Sequence, residues 1–132
     1  MTEILCAYLG DGQTTLKHSG SDVVIRTDLP LDNGGQGREF SPTDLFASSL
    51  AACAVTIMGK MAESQGKSII GTEVLVEKVM GAEPRRVAKI VLKFSFPETV
   101  QAVDRQKYLT TLKVCPVHNS LGHDIEVEVS SN

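Results

Sequence analysis

The sequence has no block of like charges, no low-complexity tract and no internal repeat, and nothing in it suggests a second domain. At 132 residues the chain is expected to form a single domain, residues 1–132, which buries about two-thirds of the surface of its unfolded chain. The formal net charge is -3 and the isoelectric point is about 5.6. These values exclude the basic surface that nucleic acids and anionic membranes bind, so neither is expected as a partner.

The sequence also lacks a long apolar segment, and it has only three cysteines. Its longest apolar-rich stretch, Leu45 to Met58, is too short to span a bilayer and is typical of a buried helix. No basic region precedes an apolar segment at the N-terminus, so no secretory signal is expected. Few cysteines in such a chain indicate a reducing compartment, where thiols stay free, catalytic or metal-bound. We therefore expect a cytoplasmic protein.

Alternating apolar residues and turn residues predict an α+β fold. A helix is expected to begin after Ser41, with Pro42 at its first position and Asp44 in its first turn, and to end near Gln65 before Gly66. A second helix is expected over residues 99–113. Antiparallel strands are predicted around the first helix, over residues 3–9, 13–18, 21–26, 72–80, 87–96 and 123–129.

The first helix is apolar on nearly all of its faces, so it is expected to be buried in a core or an interface. A sheet one layer thick cannot cover such a helix on every side. A second copy of the chain would cover the remaining surface, and we therefore expect a homodimer.

The three cysteines differ in their local context. Cys6, on the first strand, is expected to be a core residue. Cys115 precedes Pro116 and is predicted to lie at a helix N-terminus, where backbone N–H groups favour a thiolate. Cys53 lies within the predicted helix among alanines, so it gains little from the helix dipole and needs a cationic neighbour to react. On local grounds alone, both Cys53 and Cys115 are more often small apolar residues that fill a core or a turn, and this interpretation is favoured more strongly for Cys53 than for Cys115.

A metal site is the other chemistry that these residues allow. Cys53, Cys115, His118 and His123 are ligand types that zinc prefers, but a Cys-x-x-His spacing without a second tight pair is a weak zinc signal. No metal and no cofactor are therefore expected, and zinc remains an alternative hypothesis.

Three segments together resemble one family. They are SPTDLFASSLAACAVTIM, the strand pair VEKV and RRVAKIVLKFSFP, and VCPVHNSLGHDIEVEV. From about Phe40 to its end the chain resembles the OsmC/Ohr family, and most closely the YhfA-like branch. The resemblance implies an OsmC-like fold and an intertwined homodimer. It also implies a peroxidase that reduces organic hydroperoxides in the oxidative stress response and is regenerated by a lipoyl-type or other dithiol.

The resemblance assigns Cys53 as the cysteine that attacks the peroxide and Cys115 as the resolving cysteine. The local dipole argument disagrees, because it favours Cys115 as the more acidic thiol. A redox pair requires Cα atoms within about 7 Å when bridged. We therefore expect the two sulfurs to face each other.

The family's peroxidases also place an arginine and a glutamate around the reactive cysteine, and this chain departs from that pattern. Thr43 occupies the glutamate position, and the first hairpin, LGDGQTT, has no arginine. Arg38 and Glu39 are candidate substitutes, as is Arg26, although loop charges are usually only solvated. A binding or redox-sensing protein that lacks these partners is therefore the alternative to a peroxidase.

Overall fold

The computed structural model describes residues 1–132 as two compact units, Met1–Phe46 and Ala47–Asn132. The single-domain organisation remains a prediction. The elements, in chain order, are β1 (Ile4–Gly10), β2 (Gln13–His18), β3 (Val24–Asp28), α1 (Pro42–Ser64), β4 (Glu73–Gly81), β5 (Arg86–Ser95), α2 (Ala102–Leu109), α3 (Pro116–Asn119) and β6 (Glu126–Ser131), with 3-10 segments at Leu31–Asn33 and Thr110–Val114.

The first unit contains an antiparallel sheet in the order β1-β2-β3. Its large apolar side chains are exposed on both faces, as shown by Leu5 at 69% and Tyr8 at 72% exposure, because odd and even residues of a strand point to opposite faces. Cys6 is also exposed, so the expectation that it is a core residue is wrong. The alternation that identifies a strand does not reveal whether anything covers it.

The helix α1 begins and ends as the sequence predicts. Ser41 Oγ accepts the N–H of Asp44 at 3.0 Å, and Asp44 accepts the N–H of Ser41 at 2.8 Å, which is a reciprocal N-terminal cap. At the other end, Gly66 has a φ of 67°. The N–H of Lys67 bonds the carbonyl of Ala62 at 2.9 Å, and this bond closes a Schellman motif.

Within one chain, α1 is buried on a single face, in keeping with the expectation that one chain cannot cover all of its apolar faces. Burial of the remaining faces in an interface stays a prediction. Its buried positions repeat at helical spacing: Ala47, Leu50, Ala51, Ala54, Met58 and Ala62. Phe46, on another face, is 42% exposed. With 23 residues, α1 is longer than the apolar stretch suggests. An 18-residue window of this helix has a mean hydropathy of 1.5, so α1 could cross a membrane by length and composition. A core helix meets the same criterion.

The second unit holds a sheet in the order β4-β5-β6. β4 pairs with β5 in antiparallel fashion as expected, but β6 runs parallel to β5, which corrects the all-antiparallel prediction. The segment between β5 and β6 contains α2 and α3, and such a crossover returns the chain in the same direction. Ile90, Leu92 and Phe94 of β5 share one core cluster with the buried face of α1.

Candidate active site

Cys115 lies between two short helical segments of the crossover. The 3-10 segment Thr110–Val114 ends just before it, and Cys115 itself is the N-cap of α3, as expected. Its Sγ accepts the backbone N–H of His118 at 3.4 Å. Pro116 begins α3 without loss of a hydrogen bond, because the first N–H of a helix has no partner within the helix.

The packing of α2 holds this crossover against the sheet. Tyr108 of α2 is 1% exposed, and its ring centroid lies 6.3 Å from that of Phe96, just after β5. Thr111, in the 3-10 segment, is also buried, and its hydroxyl donates to the Tyr108 carbonyl at 2.7 Å. The chain that leads into Cys115 is therefore anchored in the core of the second unit.

The sulfur atoms of Cys53 and Cys115 lie 2.8 Å apart. Both thiols are free, and only Cys115 is fully buried, whereas Cys53 is partly exposed in the middle of α1. The two residues are 62 positions apart in the chain, so it is folding that brings them together. The expectation that their sulfurs face each other is confirmed.

Burial raises the pKa of the Cys115 thiol above its ordinary value, because a thiolate there would lose its solvation. The hydrogen bond to Cys53 acts in the same direction. The N–H groups of His118 and Val117 oppose this shift but do not reverse it. The sequence argument that made Cys115 the more acidic thiol is therefore wrong in direction, because it counted the helix N-terminus and not the burial.

Arg38 is held by two carboxylates of the first unit. Its Nε and Nη2 donate to the two oxygens of Asp28 at 2.7 and 3.2 Å, and its backbone N–H donates to Asp28 at 2.9 Å. Nη2 also donates to Asp11 at 3.1 Å. Hydrogen bonds from Arg38 lower the pKa of Asp28 from 3.8 to about 2, and those bonds raise the pKa of Arg38 in turn.

Asp28 is a carboxylate that the sequence did not reveal. It is 0% exposed at the end of β3, but an aspartate before Leu-Pro is equally typical of a turn, so the sequence carries no signal for it.

Glu39, the predicted acidic residue, is exposed and forms no ion pair. Arg26 is exposed on β3, and Thr43 contacts Ser41 with their hydroxyl oxygens 3.1 Å apart.

The hypothetical zinc ligands do not form a metal site in the structure. No group of three or more His, Cys, Asp or Glu side chains is placed to hold an ion. His118 and His123 instead line a cavity with Leu121, Ile125 and Val127. The zinc alternative therefore has no structural support.

The α+β fold and the facing thiols define a small dithiol protein with one buried and one partly exposed cysteine. The sequence profile of the OsmC-like protein family matches residues 35–130, a range that includes both cysteines. The chain belongs to the OsmC-like protein family. The resemblance to OsmC/Ohr is thus confirmed, and the YhfA-like branch remains a prediction.

Solved structures match the chain over its full length. A provisionally assigned osmotic stress induced and detoxification response protein from Psychrobacter arcticus 273-4 is 39% identical, with a TM-score of 0.94, and the match covers 100% of this chain and 96% of that chain. Organic hydroperoxide resistance proteins from Legionella pneumophila (20% identity, TM-score 0.78, 100% and 96% covered) and Elizabethkingia anophelis (19%, 0.79, 100% and 95%) share the fold. These matches confirm the predicted OsmC-like fold. No curated protein matches the chain.

Proposed function

We propose that this protein is a thiol-dependent peroxidase that reduces organic hydroperoxides through Cys53 and Cys115. This peroxiredoxin-type activity would serve the oxidative stress response. The observation that carries the proposal is the 2.8 Å separation of two free sulfurs. Membership of the OsmC-like family adds support, since two relatives of the same fold are described as organic hydroperoxide resistance proteins.

Burial and the family resemblance support the same proposed roles for the two cysteines. Cys53 is the partly exposed residue of the pair, whereas Cys115 is 0% exposed. Cys53 is therefore the proposed nucleophile, and Cys115 is the proposed resolving cysteine.

The reaction has two steps within the protein. The Cys53 thiolate attacks one oxygen of the O–O bond and is oxidised to a sulfenic acid, while the other oxygen takes up a proton and leaves as an alcohol. The Cys115 sulfur then attacks the Cys53 sulfur, and the sulfenic hydroxyl leaves as water with the Cys115 proton. Since a disulfide bond is about 2.05 Å long, the sulfurs need to approach by only about 0.8 Å.

A dithiol reductant completes the cycle. Its thiolate attacks the Cys53–Cys115 disulfide, and its second thiol closes a new disulfide on the reductant, so that both protein thiols return to the reduced state. A lipoyl-type dithiol is the expected class. A cytoplasmic location, where such reductants maintain free thiols, is part of the proposal.

Arg38 is the proposed supporting cation, and Glu39 is the less favoured supporting charge. Asp28 orients the Arg38 side chain through two hydrogen bonds, as a carboxylate fixes a guanidinium in a bidentate pair. A peroxide oxygen or the Cys53 thiolate is a group that such a cation stabilises.

Variants with the exposed Cys6 replaced by serine test the cysteine roles, because Cys6 would otherwise contribute a third thiol. In this background, Cys53→Ser should abolish consumption of cumene hydroperoxide. Cys115→Ser, without reductant, should consume one equivalent and leave a Cys53 sulfenic acid that dimedone captures for mass spectrometry. Consumption at the parent rate by Cys53→Ser would exclude the mechanism.

A redox-sensing protein without efficient turnover is the second candidate. It is favoured by the absence of arginine from the β1–β2 hairpin and by the engagement of Arg38 with two carboxylates. Such a protein would form the disulfide after peroxide treatment but would not consume peroxide in steady state with a dithiol. Steady-state turnover with dihydrolipoamide therefore separates the two candidates.

A homodimer is the proposed assembly. Exposed apolar side chains lie on both faces of the β1–β3 sheet and on α1, and burying them against a second copy would remove apolar surface from water. Sedimentation equilibrium at micromolar concentration should give twice the chain mass of 14.2 kDa. A stable folded monomer would contradict the proposal.

A further inference from the structure

The thiol of Cys115 already contacts Cys53 in the reduced protein. The two sulfur atoms lie 2.8 Å apart, so the S–H of Cys115 is within reach of Cys53 Sγ and can donate to it. Formation of a disulfide after oxidation does not by itself require this contact, since a resolving cysteine can approach once the sulfenic acid exists. The contact between the two thiols before oxidation therefore needs a reason other than disulfide formation.

We propose that Cys115 acts before the peroxide reacts, by donating a hydrogen bond from its S–H that stabilises the attacking thiolate of Cys53. This role precedes its role as the resolving cysteine and rests on the proposed peroxidase function. A hydrogen bond to the charged form of a group favours that form, and bonds to an ionised acceptor are stronger than those between neutral groups.

The surroundings of Cys115 keep its proton in place for this role. Burial is the main cause that raises the pKa of its thiol, and the contact with Cys53 of α1 adds to that effect. From α3, the N–H groups of Val117 and His118 face the sulfur and act in the opposite direction. The raised pKa of the Cys115 thiol therefore suits it to the role of the donor in the pair.

A hydrogen-bond donor beside Cys53 matters because the β1–β2 hairpin, LGDGQTT, has no arginine to stabilise a thiolate. Arg38, the candidate replacement, already donates to Asp28 and Asp11. The Cys115 S–H is the hydrogen bond that the structure gives to the Cys53 sulfur from another side chain.

The test compares Cys115→Ala with Cys115→Ser, both in Cys6→Ser protein. Neither variant can form the disulfide, but serine keeps an O–H donor and alanine has none. The measurement is the rate of Cys53 alkylation by iodoacetamide as a function of pH, which requires no peroxide. We expect the Cys115→Ala profile to lie about one pH unit above that of Cys115→Ser, which is about a tenfold slower reaction below neutral pH. If Cys115 served only in packing, the pH profiles of the two variants would not differ in this direction.

Coincident profiles for the two variants would overturn the proposal.

A second measurement does not depend on the folding of Cys115→Ala, since the Cys6→Ser parent can be titrated by the ultraviolet absorbance of its thiolates. A hydrogen-bonded pair should ionise in two well-separated steps of one thiol each, whereas a single step of two thiols would contradict it. If the profiles separate but Cys53 does not reduce peroxide, the peroxidase function fails, and only the stabilisation of the Cys53 thiolate by Cys115 stands. If peroxide is reduced and the profiles coincide, only the inference fails.

Discussion

Oxidation of the Cys53–Cys115 pair should stabilise the fold. The bond would close a loop whose ends are 62 positions apart, and removal of that loop's freedom from the unfolded chain corresponds to about 4 kcal/mol by the chain-entropy estimate. Native-state strain would reduce this value, but the facing sulfurs require little movement to bond. We therefore expect the oxidised protein to gain most of the estimated stability over the reduced protein.

Urea unfolding of Cys6→Ser protein measures this difference. The oxidised and reduced forms are compared at equal concentration, with Cys115→Ser protein carried through the same oxidation as the control. The control should show no gain, because it cannot form the bond. An oxidised form that is no more stable than the reduced form would refute the inferred geometry, since the bond would then distort the native packing.

Three further predictions concern Arg38, Asp28 and Leu50. Arg38→Ala should lower kcat/KM for cumene hydroperoxide if Arg38 is the supporting cation, and unchanged kinetics would remove Arg38 from the mechanism. Asp28→Asn should destabilise the protein in urea at neutral pH. Because Arg38 lowers the pKa of Asp28 from 3.8 to about 2, the stability that the Asp28 carboxylate contributes is complete above pH 3.8 and is lost as the pH falls towards 2, so the difference from wild type should shrink over that range. Leu50→Ala should cost about 2–5 kcal/mol in urea unfolding, because Leu50 is 0% exposed on the buried face of α1; a loss of less than about 1 kcal/mol would contradict its place in the core.

Local signals predicted the elements that local hydrogen bonds determine. Ser41, Asp44 and Gly66 marked the ends of α1 because caps are made within a few residues of each other. The direction of β6 was not predictable in this way, because alternation of apolar residues is the same in parallel and antiparallel strands. It depended on the crossover through α2 and α3, which is a property of the whole unit.

The site residues also divide into those that the sequence could identify and those that depend on contacts distant in sequence. The family resemblance identified Cys53 and Cys115 as a pair, whereas local reasoning favoured a packing role for each of them. Burial of Cys115 comes from contacts distant in sequence, so the helix N-terminus alone gave the wrong direction for its pKa. Asp28 was missed for a similar reason, since its partner Arg38 lies in a loop and no sequence pattern links the two.

The most direct test of the proposed mechanism is a thiol count on Cys6→Ser protein before and after one equivalent of cumene hydroperoxide, without reductant. The reduced protein should show two free thiols per chain, Cys53 and Cys115. If the pair reduces the peroxide together, both thiols should disappear, and peptide mapping should find the two cysteines joined. Two thiols left after the reaction would show that Cys53 does not react with the peroxide. One thiol left would show that Cys115 does not resolve it, and either result would contradict the redox pair.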